Sequence, residues 1–321
     1  MRKITFVLWL LCVVSATPCL AGQDGVPALD HVFVIVMENR SYDQIIGNHK
    51  APFINRVARE YNLATEYTAV TNPSLPNYLA VIAGQFFGVS HNYPPDWDGA
   101  SGIHNSIPPL DAHTIADQLV ASGRTWKSYN ESLPPSGAHG VNVNPGGADG
   151  DLYAVKHNPF AYFASIQKSS DQMANIVSET QLGDDLHNGK VPNLAFIVPD
   201  QCHDMHGTRG PCAHYTDDQL IAAGDEKVRS LVGMITAWPD WNKKKNIIAI
   251  IWDEGDYRQP DNHIPAIIMT SYGTRGVQDR TPYNHYSFLK TIEAGFGLDY
   301  LAHANDPATK TMQPMVEAAK Q

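Results

Sequence analysis

The chain has 321 residues, with 23 Lys and Arg against 33 Asp and Glu and a formal net charge of −10 at pH 7. That acidity excludes nucleic acid or an anionic membrane as a partner held by bulk charge. Any chemistry on phosphates must then rely on local cations, metal ions among them.

Met1-Arg2-Lys3 is a basic start, Ile4 to Val14 an apolar run too short to span a bilayer, and small residues follow at Ala16 and Ala21. Residues 1–21 read as a secretory signal peptide. They predict a secreted or periplasmic protein with no transmembrane segment after their removal. Their loss takes Lys and Arg from 23 to 21 and the net charge to −12. Cys12 and Cys19 leave with them. Cys202 and Cys212 remain in an oxidising compartment, which predicts a disulfide rather than two thiolate metal ligands. The remaining residues, 22–321, suffice for one large core and predict a single α/β domain.

The first element is His31–Met37, seven mostly β-branched or aromatic residues with no polar alternation. It predicts a parallel strand covered on both faces. Glu38, Asn39 and Arg40 follow at its carboxyl end, the edge where open α/β sheets bind ligands. An acid, an amide and a guanidinium suit a metal and a phosphate; the alternative is that they merely start the next helix. Helices are predicted over 41–46 and 53–61, and an extended segment over 62–70.

Thr71-Asn72-Pro73-Ser74-Leu75-Pro76-Asn77 then leads an apolar helix ending at Gly84. Pro76 and Gly84 fit its first turn and its end. Ser74 falls at the amino terminus, where free amides and the helix dipole favour an anion. It is an N-cap, a nucleophile, or both. Residues 85–113 carry Gly, Pro, His and aromatic residues without periodicity, and predict an ordered loop over the site. A helix over 114–122 and a strand over 125–129 come next. Asn142 to Asp151 reads as a surface turn lacking the spacing of a calcium loop. His157-Asn158-Pro159-Phe160-Ala161-Tyr162-Phe163 leads into another helix.

Residues 193–198 repeat the opening design, a buried strand before polar residues. His203, Asp204 and His206 lie within four positions of one another, and His and carboxylate are the usual ligands of catalytic divalent metals. Thr216-Asp217-Asp218-Gln219 is a capping box that opens a long amphipathic helix. Residues 246–252 form a third buried strand, ending in Asp253-Glu254-Gly255-Asp256. Side chains of adjacent strand residues diverge, so both acids face one ion only if the chain turns, as Gly255 allows. His263-Ile264-Pro265 opens a strand over 266–270, and Tyr283 to Ser287 caps the last clear helix.

Three strand ends and one helix start thus supply Glu38 and Asn39, His203 and Asp204, Asp253 and Glu254, and Ser74. These groups suit a metal-activated serine attacking phosphorus. His206 and His263 would complete a second metal site or protonate the leaving group. Glu, Asn, Ser and Asp suit magnesium, calcium or manganese, while the histidines admit zinc or iron.

The chain resembles the bacterial phosphoesterase family of secreted acid phosphatases and phosphatidylcholine-type phospholipases C, within the alkaline-phosphatase-like superfamily. Glu38-Asn39-Arg40-Ser41-Tyr42-Asp43, Ser74-Leu75-Pro76-Asn77-Tyr78 and Asp253-Glu254-Gly255-Asp256 with His263 carry the resemblance, which covers residues 29–299. It implies a three-layer αβα fold with a largely parallel central sheet. It also implies that Glu38, Asn39, Asp253 and Glu254 bind the catalytic metal, that Ser74 is phosphorylated, and that Asn77 contacts the phosphate. To these the sequence adds Ser74 and Asp204 as metal ligands and Arg40 and His203 as substrate contacts. The phospholipases resemble Thr-x-Pro-Asn-Arg at the nucleophile; serine and Tyr78 stand here instead, and Asp261-Asn262-His263 keeps only part of their acidic motif. These departures point to a phosphomonoesterase acting on a small phosphorylated substrate or a phospholipid headgroup, phosphoinositides included. A phospholipase C using the same centre is the first alternative. A non-catalytic exported metal-binding protein is the second.

Overall fold

Strand β1 (His31–Met37) is buried at every residue, so both its faces are covered. Fully burying one such side chain contributes about 1.5–3 kcal/mol. The structure, a computed structural model, describes residues 22–97, 105–133, 152–259 and 261–317. The expected signal peptide and the Asn142–Asp151 turn lie outside the described residues.

The other strands are β2 (Asn62–Ala64), β3 (Tyr67–Thr68), β4 (Trp126–Asn130), β5 (Ile176–Ser178), β6 (Leu194–Val198), β7 (Asn246–Trp252), β8 (Ala266–Thr270), β9 (Gln278–Asp279) and β10 (Tyr283–Asn284). Eight of them form one sheet in the order β5-β4-β6-β1-β7-β8-β2-β9. From β5 to β7 every pairing is parallel. β8 runs antiparallel to both of its neighbours. The segment expected to be extended over 62–70 divides. β2 joins the main sheet, whereas β3 pairs with β10 in a separate two-stranded sheet.

Among the described residues ten α-helices accompany the sheet: α1 (Tyr42–Ile45), α2 (Pro52–Glu60), α3 (Ser74–Ala83), α4 (Ile115–Ala121), α5 (Ala164–Gln167), α6 (Ser170–Met173), α7 (Gln181–His187), α8 (Asp217–Thr236), α9 (His285–Phe296) and α10 (Gln313–Val316). α2 packs with α8, and α3 with α4 and α9. These two sets sandwich the sheet in the expected αβα arrangement. The capping box of α8 forms as read. Thr216 accepts from the Gln219 amide, and Gln219 Oε1 accepts from the Thr216 amide at 2.8 Å. As read, the stretch from His157 to Phe163 leads into a helix, α5 (Ala164–Gln167). Pro159 lacks an amide proton and disfavours helical backbone at Asn158, so two short 3-10 turns, Val155–His157 and Pro159–Tyr162, come first.

Register decides where the site lies. Met37 of β1 pairs with Trp252 of β7, so Glu38 and Asp253 leave the sheet side by side. On the other side Ile35 pairs with Ile197 of β6, which carries residues 199–206 to the same edge.

Candidate active site

The three strand ends are tied together by backbone bonds. The Glu38 amide donates to Asp204 O at 2.8 Å, and the Asp253 amide to Met37 O at 2.9 Å. Asn39 has a positive φ of 52°, which asparagine tolerates better than most residues. That twist turns its amide onto Asp253 Oδ1 at 3.2 Å. The Glu254 amide donates to the same oxygen at 2.6 Å. Both acids therefore face one centre, as a turn after β7 should allow. Gly255 serves this turn through space rather than a left-handed backbone: a Cβ there would lie 2.9 Å from Ser41 Oγ.

Ser74 is the first residue of α3. The N-cap is Pro73, and no side chain caps the helix. The cap reading of Ser74 is thereby corrected: its hydroxyl is directed at the strand ends. Oγ lies 3.2 Å from Glu38 Oε2 and 3.3 Å from Glu254 Oε1. One helix amide expected to face an anion is already engaged, since the Leu75 amide donates to Asn92 Oδ1 at 3.0 Å. Asn92 belongs to the long loop after α3, which does reach the site.

Asn77 is occupied with the turn before Ser74. Its Oδ1 accepts from the Val70 and Thr71 amides, and its Nδ2 donates to Thr71 O, Pro73 O and, at 3.4 Å, Glu254 Oε2. In this structure it positions Ser74 and Glu254.

Sequence reasoning missed two residues of the centre, Lys156 and His157, both buried on the first 3-10 turn. His157 lies between two acids, with Nε2 3.1 Å from Glu38 Oε1 and Nδ1 3.4 Å from Asp204 Oδ2. Glu38, His157 and Asp204 each offer one ligand atom within 4.8 Å of the others. Tyr78 stacks on His157, with centroids 5.3 Å apart and planes 12° from parallel. Lys156 Nζ donates to His206 Nε2 at 3.2 Å.

Four carboxylates, Glu38, Asp204, Asp253 and Glu254, are thus buried around one serine. Burial lifts Glu38 and Asp204 well above the usual carboxylate range, and the charge of Asp253 adds to the rise on both. Burial raises Asp253 to about 6. Burial and then the Asp253 charge raise Glu254 to about 9. His157 is driven well below its ordinary value by burial, then by Lys156 and His206. Glu38 Oε1, His157 Nε2, Asp204 Oδ2 and Asp253 Oδ2 have no hydrogen-bond partner. Buried polar atoms are rarely left so, and buried carboxylates are normally paired or bound to a metal. Oxygen donors with one imidazole fit a divalent cation.

A second layer holds the centre. His285 Nε2 donates to Asp253 O at 2.7 Å, and Tyr67 OH donates to His285 Nδ1 at 3.0 Å. Burial lowers His285 to about 4, so the ring is neutral and carries its proton toward Asp253.

Residues 48–299 match the Phosphoesterase family. The chain belongs to the phosphoesterase family. It is a phosphoric ester hydrolase, which sets aside the non-catalytic alternative. It is 31% identical over 295 residues to a phosphatidylinositol-3-phosphatase of Mycobacterium tuberculosis, covering 91% of this chain and 86% of that one. It is 28% identical over 285 residues to an acid phosphatase of Aspergillus fumigatus, covering 88% of this chain and 58% of the fungal one. The chain thus spans about three fifths of that fungal relative's length. Its fold is also that of a protein in the alkaline phosphatase superfamily from Vibrio parahaemolyticus, with a TM-score of 0.55, 15% identity, and coverage of 90% and 74% of the two chains.

In this phosphoesterase the remaining predicted site residues part company. Arg40 is buried, and its Nη2 donates to Asp217 Oδ1 at 3.0 Å. With Asn39, His206, Asp217 and Arg258 it lines a cleft of about 290 Å³. His206 is half-buried on that cleft wall, and its Nδ1 donates to Gly207 O at 2.6 Å. His203 is not brought to Ser74. Its Nδ1 pairs with Asp200 at 3.0 Å and Glu131 at 3.1 Å, at the end of β4. These bonds raise it to about 10. His263 is likewise held elsewhere: its ring stacks on Tyr42 at 4.4 Å and its Nε2 donates to Thr65 O at 2.9 Å. The Cys202–Cys212 disulfide is present, with the two Cα atoms 5.9 Å apart. Among the described residues no helix is long and apolar enough to cross a membrane.

Proposed function

We propose that this phosphoesterase is an exported, metal-dependent acid phosphatase that cleaves phosphate monoesters through phosphorylated Ser74. One observation carries the reading: Ser74 Oγ stands on a helix start within 3.3 Å of two carboxylates, among buried atoms that lack partners. Glu38, Asn39, Ser74, Asp204, Asp253 and Glu254 would hold the cation. When bound, a divalent ion lowers the proton affinity of Ser74 Oγ and offsets the phosphate charge.

Ser74 Oγ forms a bond to phosphorus as the bond to the leaving oxygen breaks. The hydroxyl proton passes to Glu38 Oε2 or Glu254 Oε1. The leaving alkoxide takes a proton from a solvent water, which becomes hydroxide. That hydroxide attacks the phosphoserine, Oγ regains its proton from the carboxyl group that took it, and phosphate departs. Arg40, on the cleft wall, would meet the outer part of the substrate.

The residues 1–21 and the disulfide favour export to the periplasm or outside the cell. Tyr78, committed to His157, stands where the phospholipases C resemble arginine, which favours a monoesterase. The likeness to a phosphatidylinositol-3-phosphatase makes phosphoinositide monoesters the lipid substrates to try. The metal is magnesium, calcium, manganese or zinc. The test compares p-nitrophenyl phosphate with p-nitrophenylphosphorylcholine, with and without chelator. Preferential, chelator-sensitive hydrolysis of the monoester supports the reading. Preference for the choline diester would place the protein with the phospholipases C.

A further inference from the structure

The cleft beside the catalytic centre runs from Asn39 out to Tyr257 and Arg258. Its inner end touches the centre itself. Asn39 Nδ2 donates to Glu38 Oε2 at 3.0 Å, the oxygen that also accepts from Ser74 Oγ. A leaving group that extends from Ser74 along this cleft meets the outer end. There the Tyr257 side chain is 82% exposed, against 46% or less for the other exposed large apolar side chains described.

A lone exposed ring is ordinary. The backbone that carries this one is braced on both sides. Asp256 is buried, and its carboxylate accepts from the Arg258 amide at 3.0 Å, from Arg258 Nε at 2.8 Å and from Gln44 Nε2 at 3.0 Å. The Asp256 amide donates to Ser41 Oγ at 3.0 Å, and the Gln259 amide to Asp256 O at 2.7 Å. Tyr257 thus stands on a tied turn with only its two side-chain torsions free. A ring held in this way loses little entropy when a ligand packs on it.

The charges beside the ring cancel. Arg40 pairs with Asp217 at 3.0 Å, and Arg258 with Asp256 and, at 3.6 Å, with the other oxygen of Asp217. Two guanidinium groups against two carboxylates leave no net charge to hold a second phosphate on the leaving group. What this end offers is an exposed aromatic ring beside planar, neutralised guanidinium groups. Those surfaces suit an uncharged, flat ring.

We infer that Tyr257 sets leaving-group specificity by stacking on an uncharged aromatic ring, so that aryl and nucleoside monophosphates are preferred to alkyl monophosphates. The inference rests on the phosphatase reading above and deepens it at the outer end of the same cleft. Tyr257 takes no part in making or breaking bonds. It binds the ring equally before and during reaction, so its loss raises KM and leaves kcat in place. Inositol monoesters, which lack a flat ring, gain nothing from it.

The experiment measures kcat and KM of the metal-loaded full chain for AMP and ribose 5-phosphate. The two share the departing oxygen and differ in the base. The wild type should favour AMP by about 10-fold or more in kcat/KM, chiefly through KM. Tyr257→Ala changes an exposed side chain and should fold normally. It should bring AMP down to the level of ribose 5-phosphate and leave ribose 5-phosphate unchanged, while Tyr257→Phe keeps the preference. Equal kcat/KM for the two substrates in the wild type overturns the inference. So does a preference that survives Tyr257→Ala, or a loss of both substrates together in that variant. If neither compound is hydrolysed, the phosphatase reading fails, and isothermal titration of the same pair decides about the ring. AMP binding about 10-fold tighter than ribose 5-phosphate, lost in Tyr257→Ala, then upholds the stack. Equal binding of the two overturns it.

Discussion

The Tyr78 ring lies flat on the His157 imidazole, 5.3 Å between centroids and 12° from parallel. Tyr78 is one of the two residues by which the nucleophile motif departs from the phospholipase pattern, and the stack gives that departure a structural role. A fully buried aromatic cannot be truncated without a cavity. Tyr78→Ala should destabilise the protein by about 3–5 kcal/mol in denaturant unfolding. Loss of this support should also weaken metal binding about 10–100-fold by isothermal titration. Tyr78→Phe keeps the ring and should retain near-normal affinity.

His285 acts on the centre through the Asp253 carbonyl. His285→Ala removes that bond and leaves Tyr67 OH facing a void. We expect a stability loss of about 2–5 kcal/mol and a metal affinity reduced about 10–100-fold, with fold retained by circular dichroism. Unchanged affinity would show that the Asp253 turn holds itself.

The buried acids predict an unusual pH dependence for the metal-free protein. Asp253 and Glu254 bind protons more tightly when folded, at about 6 and about 9, than unfolded. The folded state then carries the extra protons, and its stability falls as pH rises from about 4 through about 9. A bound divalent ion compensates the charges and flattens the slope. Thermal melts with and without chelator should diverge as pH increases. At the β4 end the signs differ. Burial pushes Glu131 up, but His203 and Lys227 outweigh it and hold it at about 2. Its stabilisation is lost on acidification through about 2, and that of His203 on alkalinisation through about 10.

The disulfide closes a short loop, Cys202 to Cys212, beside Asp204. Reduction should cost about 3 kcal/mol by loop entropy. Because the loop carries Asp204, metal affinity measured in reductant should fall as well.

Much of this centre was legible because buried strands end abruptly in polar residues. Glu38, Asp253 and Glu254 follow seven-residue strands in which six residues are apolar, and the parallel register brings those ends together. Lys156 and His157 gave no comparable signal. They lie on a 3-10 turn without periodicity, and only tertiary packing brings them to Glu38. The clue in the sequence was a charged pair enclosed by Tyr153, Val155 and Phe160, an apolar setting in which a lysine is seldom buried without a task. His203 misled for the opposite reason. It lies one position from Asp204, but the turn after β6 directs it to Asp200 and Glu131. The antiparallel course of β8 was equally hidden, since an apolar run does not reveal its direction.

The most direct test of the account is p-nitrophenyl phosphate turnover by metal-loaded Ser74→Ala beside the wild type. Ser74 caps nothing, so the variant should melt within about 1 kcal/mol of the parent and bind metal. The account predicts a folded, metal-bound protein whose turnover is lost. Turnover retained in a pure preparation of that variant would contradict attack by Ser74.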